Sequence, residues 1–94
     1  EFGVLLPATP EAGAANVAER LRVAVAGTSV YVGDHSSPLN LSVSAGVATI
    51  LPEPGSRPED LIGRADEALY AAKGAGRNQV MVFRESGAEA IAGS

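Results

Sequence analysis

The sequence predicts an α/β fold, and three observations carry that prediction. Two stretches repeat apolar residues at helical spacing, and each stops at glycine. Short runs rich in β-branched residues lie around them, bounded by proline, glycine and polar turns. The chain has 94 residues, one small domain at most, and 17 are alanine and 11 glycine, so bulky core side chains are few. Marginal stability is expected from that shortage.

The elements follow in order. Phe2 to Leu6 is an apolar run stopped by Pro7, which suits a short buried strand. Thr9-Pro10-Glu11 predicts a helix start, with Thr9 as cap, Pro10 at the first helical position and an acid in the first turn. Ala14, Val17, Leu21, Ala24 and Val25 make its apolar stripe, which leaves Glu11, Glu19, Arg20 and Arg22 to solvent, and Gly27 ends it. Residues 28–32 form a short strand, and residues 33–38, with Asp34 and His35, a polar turn. Leu39 to Ile50 reads as the longest strand. It has a bulky face of Leu41, Val43, Ala45 and Val47 and a smooth one of Ser42, Ser44, Gly46 and Ala48. The smooth face admits either a helix or a ligand at close range. Residues 52–58 are a breaker-rich loop, and Ser56 with Glu59 has the spacing of a capping box. Leu61, Ile62, Ala65, Ala68, Leu69 and Ala72 form the stripe of the second helix, closed by Gly74-Ala75-Gly76. Residues 79–83 are the last strand, and residues 84–94 a flexible tail. This βαββαβ order predicts a ferredoxin-like arrangement, a four-stranded antiparallel sheet with both helices on one face, for one unit spanning residues 1–83.

Composition removes several function classes. With no cysteine there is no disulfide, thiolate metal site or cysteine nucleophile, and one histidine makes no zinc cluster. Seven basic against eleven acidic residues give a net charge of −4, which argues against a nucleic-acid polymer as partner. No apolar run approaches the roughly 20 residues of a membrane span, and no signal peptide is visible, so a cytoplasmic domain is expected. Asp34-His35 reads as a solvated turn, Ser42 and Ser44 lack a base partner, and Glu59, Asp60, Asp66 and Glu67 read as surface or first-turn acids.

Residues 64–78 carry the most chemistry. Lys73 falls in the last turn of the second helix and Arg77 just past the glycine stop. Both complement the partial negative charge of the helix end, and simple capping is one reading. The other is an anion site, in which a lysine point charge and an arginine fork meet one phosphate or polyphosphate.

The wording of this stretch adds to that reading. Ala65-Asp66-Glu67-Ala68-Leu69-Tyr70, followed by Lys73 and by Gly76-Arg77-Asn78, closely resembles the C-terminal signature of GGDEF domains, the diguanylate cyclase family. Glu1 to Pro7 resembles the end of the Gly-Gly-Asp-Glu-Phe motif and its following strand. Residues 18–22 resemble the family's next helix and residues 42–48 its long strand. The resemblance covers about residues 1–83, in a nucleotide-cyclase-like palm domain. It implies condensation of two GTP into cyclic di-GMP with release of pyrophosphate, divalent metal (usually Mg²⁺), and a homodimer holding one GTP per domain. It places Lys73 and Arg77 at the positions that hold the GTP β- and γ-phosphates. Arg20 falls at a basic position that binds cyclic di-GMP as inhibitor in some members, although by helix geometry alone it is a solvated residue. Glu1 is the fourth letter of the signature, a remnant of the catalytic and metal-binding turn.

The chain departs from the family at this point. It lacks the two glycines and third-position acid of the signature, the preceding aspartate strand, the guanine-reading helix and the Arg-x-x-Asp inhibitory sequence. One carboxylate does not hold Mg²⁺. The chain is therefore expected to be a C-terminal part that is inactive by itself, with exposed edges that favour dimerisation or strand exchange. A non-catalytic nucleotide-binding or regulatory relative, or an independent interaction module, would share these residues.

Overall fold

Two parallel strands, joined by a helix that crosses one face of the pair, make the centre of the molecule. The computed structural model describes residues 2–31, 33 and 37–91. In chain order the elements are α1 (Glu11–Ala26), β1 (Ser29–Val30), β2 (Leu39–Asn40), β3 (Ala45–Val47), α2 (Pro58–Gly74), β4 (Val80–Val82) and β5 (Glu89–Ala90). β1 and β2 form a small antiparallel hairpin, and the second sheet runs β3-β4-β5. β3 and β4 are parallel, with Ala45 opposite Val80, Gly46 opposite Met81 and Val47 opposite Val82.

That register assigns the faces. Ala45, Val47, Val80 and Val82 share one side, and the alanines of α1, Ala14, Ala15 and Ala18, pack on the buried valines there. Gly46 points to the other side, where α2 lies so close that a Cβ on Gly46 would sit 2.2 Å from the Ala65 carbonyl oxygen and 2.3 Å from the Leu69 nitrogen. The smooth face of the strand therefore takes a helix, and Ala68 and Ala72 of α2 are fully buried. Glycine facing alanine is what permits so close a contact.

The α/β class holds, with corrections to the expected sheet. The helices lie on opposite faces rather than one, because a parallel pair must be covered on both sides to bury its apolar residues. Residues 2–6 form no strand: Phe2 is 99% and Leu5 77% exposed, and no described residue completes a ladder with them. The expected long strand is divided into β2 and β3, because β1 and β4 supply partners for only its two ends. Neither expected oxygen cap forms. Pro10 occupies the N-cap of α1 while the Thr9 hydroxyl donates to the Pro7 carbonyl at 3.1 Å. Arg57 precedes α2, and the Ser56 hydroxyl instead accepts the Glu53 amide at 2.9 Å inside the loop.

The segment after Arg84, expected as a tail, returns along the sheet. β5 pairs antiparallel with β4, and Ile91 packs against the valine cluster. Arg84 Nη1 donates to Glu11 Oε1 at 2.5 Å and its Nε lies 3.5 Å from Glu89, which ties the start of α1 to this return. The Glu11 hydrogen bond is the main reason that the Arg84 guanidinium is held above its ordinary pKa range. Because Ile91 is half-buried, Ile91→Ala is expected to lower stability by about 1–2 kcal/mol in denaturant titrations. An unchanged midpoint would show that the return does not contribute to the core.

The core is small for the chain. The chain has a radius of gyration of 15.1 Å with extents of 56 × 22 × 20 Å, against about 13 Å for a compact 100-residue domain. Val47, Val80 and Val82 are its only buried bulky side chains among the described residues.

Candidate functional site

The end of α2 is built by backbone hydrogen bonds that the glycine spacing makes possible. The Gly76 amide donates to the Lys73 carbonyl at 3.4 Å and the Arg77 amide to the Ala72 carbonyl at 2.9 Å, the two bonds of a Schellman closure. Gly76 has φ +116°, which this closure requires and glycine tolerates. The chain does not then relax. Arg77 and Asn78 follow at φ +63° and +49°, two successive non-glycine residues in the left-handed region. Each such placement costs about 1–2 kcal/mol, least for asparagine, so the surroundings must hold them.

Four hydrogen bonds do so. Gln79 Nε2 donates to the Ala75 and Arg77 carbonyls, both at 3.1 Å, and closes the turn from inside. The Asn78 amide donates to the Ser44 hydroxyl at 3.1 Å, just ahead of β3. Arg22 Nη1, from α1, donates to Asn78 Oδ1 at 3.1 Å. Arg22 is itself paired through Nε with Glu19 one turn earlier, and both side chains are largely buried. The second oxygen of that carboxylate, Glu19 Oε2, is buried without a hydrogen-bond partner among the described residues.

The two expected cations sit on this frame. Lys73 occupies the last turn of α2 and is exposed, and it borders a shallow groove of about 210 Å³ with Asp66, Leu69 and Tyr70. Arg77 is exposed on the strained turn. Among the described residues neither side chain enters an ion pair. Two uncompensated cations at the negative end of a helix, on a turn fixed by its backbone, suit an anion of several charges.

Other predicted residues fall elsewhere. Arg20 is exposed on α1. Glu1, Asp34 and His35 lie outside the described residues. Glu59 and Asp60 are first-turn acids of α2. Among the described residues no three histidine or acidic side chains come together as a metal site. The described residues therefore offer no ligand set that fits Mg²⁺. Among the described residues no helix is long and apolar enough to cross a membrane.

Sequence reasoning missed Glu19, Arg22 and Ser44 as parts of the site. It placed the first two on the solvent side of α1, whereas the packed stripe runs through Glu11, Ala14, Ala15, Ala18 and Arg22. The signal was present in the spacing of those alanines, which matches Glu11 and Arg22 in helical phase. Bulkier Val17 and Leu21 outweighed it, yet Leu21 is 52% exposed.

The comparison with known families decides the relationship. The model of the diguanylate cyclase GGDEF domain matches residues 1–79. The chain belongs to the GGDEF family. Similar proteins include the response regulator PleD of Caulobacter vibrioides, 43% identical over 81 residues, covering 86% of this chain and 18% of PleD. The diguanylate cyclase DgcP of Pseudomonas aeruginosa is 40% identical over 82 residues, covering 87% of this chain and 12% of DgcP. The diguanylate cyclase DgcM of Escherichia coli is 42% identical over 81 residues, covering 86% of this chain and 18% of DgcM. This GGDEF chain thus spans less than a fifth of the length of these relatives.

Proposed function

We propose that this chain is the C-terminal part of a diguanylate cyclase domain and supplies its polyphosphate grip. The observation that carries this reading is the pair of exposed, uncompensated cations, Lys73 and Arg77, at the glycine closure of α2 in a GGDEF chain. In the parent reaction the 3′-hydroxyl of one GTP attacks the α-phosphate of another and pyrophosphate leaves. Lys73 and Arg77 hold the β- and γ-phosphates. They orient the α-phosphate and offset the charge that builds on the departing pyrophosphate. Two domains of a homodimer each present one GTP. Mg²⁺ serves the full domain, with ligands beyond the described residues, and Glu1 is a remnant of that catalytic turn. Arg20 belongs to an inhibitory cyclic di-GMP site. Residues 1–83 belong to that domain, residues 84–94 follow it, and the domain acts in the cytoplasm.

The 94-residue chain alone is inactive in this reading, because among its described residues no acidic cluster is present to hold a metal that would activate the attacking hydroxyl. Supplying the purified chain with GTP and Mg²⁺ is expected to yield no cyclic di-GMP, while the full-length protein makes it. Robust synthesis by the chain alone overturns the inactivity. GTP binding without synthesis by the full-length protein points instead to a non-catalytic nucleotide-binding relative.

A further inference from the structure

The packed face of α1 is almost featureless, and polar contacts secure it at both ends. Ala14, Ala15 and Ala18 lie flat on the valines. Alanines permit close approach but offer little interlocking shape, so a helix resting on them can shift or turn at low cost. Glu11 at one end holds Arg84, and Arg22 at the other holds Asn78. The second of these contacts reaches directly into the left-handed turn beside Arg77.

We propose that Arg22 and Asn78 are positioning residues for the polyphosphate grip. Arg22, braced by Glu19, holds Asn78. Asn78, also fixed through its amide to Ser44, keeps the adjoining Arg77 in the left-handed conformation from which its guanidinium meets the phosphates. Three observations support the assignment. Two consecutive left-handed non-glycine residues persist only where neighbouring structure over-determines them, and the Arg22 contact is one of those constraints. The Glu19–Arg22 pair is largely buried and leaves one carboxylate oxygen without a partner among the described residues, a cost that stability alone does not favour. The network joins three separate segments, α1, the approach to β3 and the α2–β4 turn, beside the cation it serves. Neither residue touches the nucleotide in this account. Each acts by removing the freedom that Arg77 would otherwise lose on binding.

The proposal rests on the reading of Lys73 and Arg77 as the phosphate grip, and the test separates the two. Equilibrium binding of GTP and of GMP to the full-length protein is measured for Arg22→Ala, Asn78→Gly, Arg77→Ala and the Arg22→Ala/Arg77→Ala double variant. Arg22→Ala and Asn78→Gly are each expected to weaken GTP by about fivefold to tenfold, the worth of one positioning hydrogen bond. GMP, which lacks the β- and γ-phosphates, should change by less than about twofold in both. In the Arg77→Ala background, Arg22→Ala should cause no further loss, since its only route to the ligand is gone. Glycine keeps the left-handed backbone while deleting the Asn78 acceptor, so Asn78→Gly carries the comparison even where Arg22→Ala does not fold. Wild-type GTP affinity in Arg22→Ala and Asn78→Gly, beside a weakened Arg77→Ala, overturns the positioning role and leaves the grip standing. Equal losses for GTP and GMP, or a fully additive double variant, also overturn it. An Arg77→Ala protein that binds GTP normally overturns the grip and the positioning role together.

Discussion

Gly46→Ala is expected to unfold a large fraction of the protein, lowering stability by about 3 kcal/mol or more, at the upper end of overpacking costs. The added methyl would lie 2.2 Å from the Ala65 carbonyl oxygen and 2.8 Å from the Leu69 Cα. Both are backbone atoms of α2, so no side-chain rotation relieves the clash and the whole helix must move away from the sheet. That displacement opens the contact that buries Ala68 and Ala72 and shifts the turn that carries Arg77. Gly63→Ala is the matched control. Gly63 lies inside the same helix with nothing within 4 Å of an added Cβ, so alanine there should stabilise by about 0.5–1 kcal/mol. Urea titration of the two variants measures both effects. Equal midpoints would refute the assignment of α2 to the Gly46 face.

The second large effect is on nucleotide binding. Lys73→Ala and Arg77→Ala in the full-length protein are each expected to weaken GTP by about tenfold to a hundredfold, since a hydrogen bond to a charged group contributes about 1.5–3 kcal/mol. Arg77→Lys should recover only part of the loss, because lysine keeps the charge but not the planar fork. Raising salt should narrow the gap between wild type and variants as the exposed charges are screened. Lys73 also faces the negative end of α2, where its removal costs about 0.3–1 kcal/mol of helix stability. Melting curves recorded beside the titrations separate that small loss from the binding defect. Unchanged GTP affinity in both alanine variants would remove the phosphate grip as a function of this chain.

Much of this site was legible because its causes are local. A helix ending in Gly74-Ala75-Gly76 carries its own closure in the order of its residues, and the Schellman bonds follow from it. Lys73 and Arg77 are placed by the same few residues. The strand at residues 80–82 was likewise readable from its branched side chains, whereas the run expected as one strand over residues 39–50 is paired only at residues 39–40 and 45–47. The oxygen caps were local too, yet failed. Thr9 and Ser56 each found a nearer backbone partner in the turn just ahead of the helix, an alternative that spacing alone does not rank.

The remaining features depend on residues far apart in the chain. Arg22 and Asn78 are 56 positions apart, and no periodicity links them. Residues 2–6 read as a strand by composition, but a strand exists only where a neighbour accepts its hydrogen bonds.

Local sequence therefore settled the class of fold, the two helices and the pair of cations at the end of α2, because propensity, helical phase and glycine closure act over a few residues. Tertiary structure alone decided that the helices take opposite faces, that Gly46 meets a helix rather than a ligand, and that Arg22 reaches the turn beside Arg77. Those outcomes depend on register and on through-space packing, which bring together side chains that the order of residues keeps apart.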